Sequence, residues 1–181
     1  MVRKLGLTLA IGLIVSLAAA AVALGEQTYT DPAGDSGGAP DITGVTVSDT
    51  SDGTLTWVVT TNATTLTPDT VISITLETDG NTATGDTNGF DYYVGLDSTG
   101  YAFGKLQGSS LDGSVPFSTV RVLFNAGVMT FIVNKSEIGA PAGRVAFSVD
   151  GLLFASNIVT ASDTAPDGTG VYEYTPTAPP P

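Results

Sequence analysis

Cysteine and histidine are both absent from the chain. Their absence removes Ser-His-Asp and Cys-His catalysis, the usual zinc and copper sites, and haem ligation through either side chain. It also removes disulfides and lipid attachment at a cysteine. Any chemistry must therefore run on carboxylates, hydroxyls or bound hard cations.

Positive charge is almost as scarce. Six Lys and Arg face eighteen Asp and Glu, for a net charge of −12. Arg3 and Lys4 sit at the N-terminus, so only Lys105, Arg121, Lys135 and Arg144 oppose the acids downstream. A surface of this sign repels nucleic acid and anionic lipid and attracts divalent cations, although it also serves simple solubility. No segment after the N-terminus has a helical stripe of useful length; the best candidate is one turn at Lys135-Ser136-Glu137-Ile138, stopped by Gly139 and Pro141.

The N-terminus reads as an export signal, residues 1–25. Val2-Arg3-Lys4 is basic, residues 5–24 are almost wholly apolar, and Ala21-Val22-Ala23 or Ala23-Leu24-Gly25 offers small residues for cleavage. A retained membrane anchor is the rival reading, since the run approaches the roughly 20 residues that span a bilayer. Cleavage would release a secreted chain of about 155 residues, enough for one well-buried domain. An exported domain without disulfides must hold its loops by other means, and metal ions are the obvious ones.

Residues 26–174 show short β-type runs broken by Gly, Asp, Asn, Thr and Pro, at 44–48, 54–61, 71–78, 90–96, 101–106, 119–125, 128–134, 144–149 and 171–174. About nine strands at this spacing predict an all-β antiparallel sandwich, best read as a jelly roll. Alternation points Leu55, Trp57 and Val59 inward, then Val120, Val122 and Phe124, then Met129, Phe131 and Val133, then Val145, Phe147 and Val149. Trp57 is thus expected in the core and not on a sugar-stacking surface. Asn125-Ala126-Gly127 reads as a tight hairpin turn. Residues 175–181, Thr-Pro-Thr-Ala-Pro-Pro-Pro, form a polyproline-like tail outside the core.

Three loops collect the acids: Asp31, Asp35 and Asp41 in the first, Asp79, Asn81, Asp86 and Asp91 in the second, Asp163 and Asp167 in the third. Calcium takes six to eight oxygens from carboxylates, amides and backbone carbonyls, and Asp and Asn at close spacing with glycines between them can supply these. Asp, Asn and Gly also make turns with no metal present. The second loop is not an EF-hand, because Ala83 and Phe90 stand where that loop needs ligands. The first and third loops share Ala-Pro-Asp, and Asp31, Asp35, Asp41, Asp163 and Asp167 are expected to meet on one ion if the sandwich brings its ends together. Glu77 and Asp91 raise a carboxylate glycosidase, for which no cleft signature is visible.

These residues also carry a resemblance. Asp31-Pro32-Ala33-Gly34-Asp35, Pro40-Asp41-Ile42, Asp79-Gly80-Asn81, Thr84-Gly85, Phe90-Asp91-Tyr92 and the late Asp163 to Asp167 segment resemble the carbohydrate-binding-module family 9-like and DOMON-like β-sandwich group. Nearest in feel are the calcium-dependent C-terminal module of glucodextranase-type enzymes and small secreted proteins. The resemblance implies a jelly-roll-type sandwich, bound calcium and a sugar ligand. Haem, bound by some DOMON domains, is disfavoured without histidine and with Met129 in a core row. Tyr93 and Tyr101 are the outward aromatics, with Arg121 a further polar contact. The expected function is a secreted, non-catalytic, calcium-stabilised module for carbohydrate or cell-surface polymer. A structural or adhesive exported protein is the alternative, and a carboxylate glycosidase the third.

Overall fold

Threonines alternating with apolar residues build the centre of the molecule. In a computed structural model that describes residues 23–114, 116–139 and 143–177, Leu55, Trp57 and Val59 are fully buried while Thr54, Thr56 and Thr60 face outward. They lie on β3 (Thr54–Thr61), which pairs with β2 (Ile42–Thr50) on one side and β9 (Val128–Asn134) on the other. β1 (Ala23–Thr30) and β8 (Arg121–Asn125) complete a five-stranded antiparallel sheet, ordered β1-β2-β3-β9-β8.

The facing sheet is ordered β11-β10-β4-β5-β6-β7. Its strands are β4 (Thr70–Glu77), β5 (Tyr92–Asp97), β6 (Gly100–Gln107), β7 (Ser110–Asp112), β10 (Val145–Ala155) and β11 (Ile158–Ala165). β12 (Tyr172–Tyr174) returns along the first part of β10. Ile72, Ile74, Leu76, Val94, Phe147 and Val149 meet the inner face of the first sheet, and Trp57 packs on Phe131 and Phe147 with ring centroids 5.4 and 6.2 Å apart. The protein is an all-β sandwich of two antiparallel sheets. Its one helical element among the described residues is a 3₁₀ turn, Lys135–Ile138, ended by Gly139 at φ 83°.

The expected hairpin closes β8 onto β9 through Ala126 and Gly127, both at positive φ, with Asn125 opposite Val128. On β8 the apolar row is shallower than predicted: Val122 is only partly buried because β8 is the sheet edge. Three strands, β1, β7 and β11, lie where the apolar pattern marks none. They are edge or near-edge strands with little to bury, and β11 even exposes Ile158 and Val159.

Both chain ends of the domain are tied to one acid. Tyr174 Oη and Thr177 N donate to the two carboxylate oxygens of Asp49, which is almost wholly buried, and Tyr174 Oη also reaches the Gly25 carbonyl. The first residues of the Pro-rich tail therefore dock on the sandwich. The expected signal segment falls mostly outside the described residues, whose first strand starts at Ala23. No helix among the described residues is long and apolar enough to cross a membrane.

Candidate metal centres

The first acid group forms where β1 ends, β2 begins and β11 runs alongside. Asp163 is a strand residue and not a loop residue as the sequence implies: it lies in β11 opposite Gly151, on the core side of the sheet. Its Oδ2 accepts the Ile42 N–H at 2.5 Å, which joins β11 to the start of β2 across the sandwich. The 31–41 loop folds back over this junction. Asp41 takes the Gly34 N–H on both carboxylate oxygens, at 2.9 and 3.1 Å, and its own N–H goes to Asn62 Oδ1. The loop approaches β10 so closely that a Cβ on Gly151 would lie 1.9 Å from the Pro40 carbonyl oxygen, so only glycine fits there.

Carboxylate oxygens of Asp31, Asp35 and Asp163 consequently lie within 4.8 Å of one another. Asp31 Oδ1 has a weak partner, the Tyr172 hydroxyl at 3.3 Å, whereas its Oδ2 is sealed from solvent and accepts no hydrogen bond from the described residues. Burial, then the charges of Asp163, Asp167 and Asp35, push the Asp31 carboxyl up to about 6. Asp163 is raised too, by burial first and by the charges of Asp35 and Asp41. Asp41 and Asp167 thus stand beside the group without joining its core: Asp41 is engaged with Gly34, and Asp167 acts on Asp31 and Tyr172 through its charge.

The second group lies five positions away along β10, where Glu77 faces Ala146, about 17 Å from the level of Gly151 at 3.4 Å per residue. Glu77, Asp79 and Asp91 bring carboxylate oxygens within 4.8 Å of one another. Here donors are plentiful. Asp91 Oδ2 takes the Thr78 N–H (2.8 Å), the Thr78 hydroxyl (3.0 Å) and the Asp79 N–H (3.3 Å). Glu77 takes the Gly80 N–H, and Asp79 takes the Asn81 N–H and the Thr84 hydroxyl. Asn81 and Asp86 are not brought into this group. Asn81 Oδ1 closes a turn on the Ala83 N–H, and Asp86 Oδ1 takes the Asn88 and Phe90 N–H groups. Glu77 is the member the loop reading missed as a ligand; its signal is the Glu77-Thr78-Asp79 spacing at the end of an alternating strand.

Oxygens alone, with carboxylates dominant and no nitrogen or sulfur ligand, fit a hard cation such as calcium in either group. The orphaned Asp31 Oδ2 makes the fit stronger in the first.

Of the other candidates, Tyr93 and Tyr101 line a common hollow of about 320 Å³ with Asp97 and Thr99. Tyr93 points to the outer face, its phenol lying over Gly95, where a Cβ would come within 2.2 Å of the hydroxyl. Tyr101 sits in register with the buried Leu96 yet is half exposed at the strand end. Arg121 belongs to the other sheet, and its guanidinium turns back on the Ser118 and Val120 carbonyls. No family model, curated protein or solved structure matches this chain.

Proposed function

We propose that this protein is an exported, non-catalytic binding module, stabilised by calcium at its acid groups, with carbohydrate or a cell-surface polymer as its partner. The observation that carries the reading is Asp31 Oδ2, a carboxylate oxygen removed from solvent, given no donor and set among Asp35 and Asp163. A buried anion without a partner is strongly unfavourable. Among the described residues no cation is brought to it: the ion pair formed there is Arg144–Glu173. Calcium would satisfy these oxygens and, through Asp163 and the Ile42 N–H, lock β11 to β2. The second group would hold the 79–91 loop in the same way. Residual glycosidase chemistry is poorly served, because Glu77 and Asp91 are 5% and 3% exposed and neither is open to a sugar ring.

A structural or adhesive role is the second reading, favoured by Leu123 on edge strand β8 and by Ile158 and Val159 on edge strand β11, all exposed. Retention on an insoluble polysaccharide separates the two; self-association without retention would favour the adhesive one. The metal is tested by melting the protein in excess EDTA and in millimolar calcium. Calcium at a hundred times its dissociation constant adds about 2.7 kcal/mol, which raises the midpoint by roughly 5–10 °C in a domain of this size. No rise would remove the ion from the account.

A further inference from the structure

A cleft opens on the outer face of the seven-stranded sheet, beside the loop that carries the second acid group. Its floor comes from outward positions of three adjacent strands: Thr75 on β4, Ser148 and Asp150 on β10, and Thr164 on β11. Ser148 and Asp150 lie between the levels of the two groups on β10. One rim is the 79–91 loop, which lends Asn88 and Phe90, and its base is the second acid group. The other rim is the segment between β11 and β12, which lends Gly168, Thr169, Gly170 and Val171. The space is about 430 Å³, within the range of roughly 300–1,000 Å³ typical of small-ligand sites.

Its chemistry is selective. The floor offers three hydroxyls and a carboxylate. Thr164 Oγ1 donates to Asp150 Oδ1 at 2.8 Å, while Asp150 Oδ2 accepts nothing from the described residues. Phe90 and Val171 add apolar surface, both partly exposed. Hydroxyl-rich ligands with C–H faces need this mixture of acceptors and apolar wall. No Lys or Arg lines the cleft, and Asp86 and Asp150 make it negative, which excludes phosphorylated, sulfated and uronic ligands. Tyr93 stands on the same face, close enough to Asp150 to feel its charge, so an extended ligand has a neighbouring aromatic.

We infer that this cleft is the site of a neutral pyranose. The inference rests on the binding-module reading above and assigns it a place. The site differs from the Tyr93–Tyr101–Arg121 set that the sequence suggests.

The test is amide NMR of the calcium-loaded protein titrated with soluble glucose, mannose, galactose and N-acetylglucosamine oligosaccharides, with oligogalacturonate beside them. At least one neutral oligosaccharide should move the Asn88, Ser148, Asp150 and Thr164 amides, and oligogalacturonate should move none. Asp150→Asn should weaken that binding about tenfold, the loss of a charge-assisted hydrogen bond. Ser148→Trp, which fills the floor, should abolish it in a protein that still melts cooperatively. If Ser148→Trp does not fold, Asn88→Ala on the exposed rim takes its place and should weaken binding. A neutral sugar that binds with shifts confined to Tyr101 and Arg121, unaffected by these variants, would overturn the cleft and leave the module reading standing. No response to any neutral sugar, with the calcium-dependent melt intact, would overturn the cleft and the sugar partner together. Preference for oligogalacturonate would overturn the charge argument and with it the assignment.

Discussion

The two acid groups contain the same number of clustered carboxylates and differ in how their charge is met. Around Glu77, Asp79 and Asp91, the 79–91 loop wraps its own N–H groups and hydroxyls onto the oxygens. Around Asp31, Asp35 and Asp163 the chain supplies few donors, and one oxygen is sealed with none. A loop that folds on itself can neutralise its acids locally, because Asp and Thr two to five residues apart reach each other's backbone. A junction between a loop and a distant strand does so less readily, since Asp163 arrives from β11 with its backbone already paired to β10. The second group thus meets its acids with its own loop, whereas the first leaves an oxygen that the proposed calcium would satisfy.

The largest effect that would break this contrast is expected at Asp91. Asp91→Ala strands the Thr78 and Asp79 N–H groups and the Thr78 hydroxyl in a buried setting. The loss should be about 3–5 kcal/mol, or roughly 10 °C in midpoint, in EDTA as well as in calcium. A loss seen in calcium alone would mean that the ion, and not the backbone donors, organises the second group.

The next effect is a pH slope. The Asp31 carboxyl of the ion-free fold sits at about 6, above the ordinary 3.8. Its contribution is fully present below the unfolded value and is lost as pH rises through about 6. Glu137 slopes the other way. Burial opposes its ionisation, but the hydroxyl and N–H donors of Thr119 and Ser118 prevail and bring it down to about 2, so its contribution is lost as pH falls through the acid range. Between about pH 5 and 7 the Asp31 slope should show, in the same direction as those of Asp163 and Asp150, whose carboxyls burial also raises. Melting midpoints in EDTA should therefore fall across that window, and in calcium they should be flat. A flat profile in EDTA would show that Asp31 is not strained without a cation.

The smallest effect belongs to Asp86, an acid of the second loop that stands outside its group. Asp86→Ala removes a turn closure on Asn88 and Phe90 and should lower stability by about 1 kcal/mol, a shift of roughly 2–4 °C, with the calcium-induced rise unchanged. Loss of that rise would make Asp86 a ligand.

The contrast also marks what was legible in the sequence. Leu55-Thr56-Trp57-Val58-Val59 and Met129-Thr130-Phe131-Ile132-Val133 read correctly, because central strands must bury one face and so alternate. β11 did not read: its apolar Ile158 and Val159 are exposed, and its turn uses Ser156 and Asn157 at positive φ in place of glycine. With β11 unseen, Asp163 passed for a loop residue, although its meeting with Asp31 and Asp35 was anticipated from the shared Ala-Pro-Asp. Asn81 and Asp86 show the converse. Their types fit a ligand and their positions fit a turn, and only hydrogen-bond partners tell the two apart. The outer-face cleft was invisible, since Thr75, Ser148, Asp150 and Thr164 come together through pairings of strands far apart in the chain.

In the function proposed above, the first group is unstable as a set of bare anions and is completed by calcium. The most direct measurement is the melting temperature of Asp31→Asn against the parent protein, each in EDTA and in calcium. Removing one charge relieves the repulsion, so the variant should melt above the parent in EDTA. Having lost a ligand, it should gain less from calcium and melt below the parent when calcium is present. Such a crossing cannot arise from a purely structural aspartate. A variant that melts below the parent in both conditions, with the calcium-induced rise intact, would contradict the account.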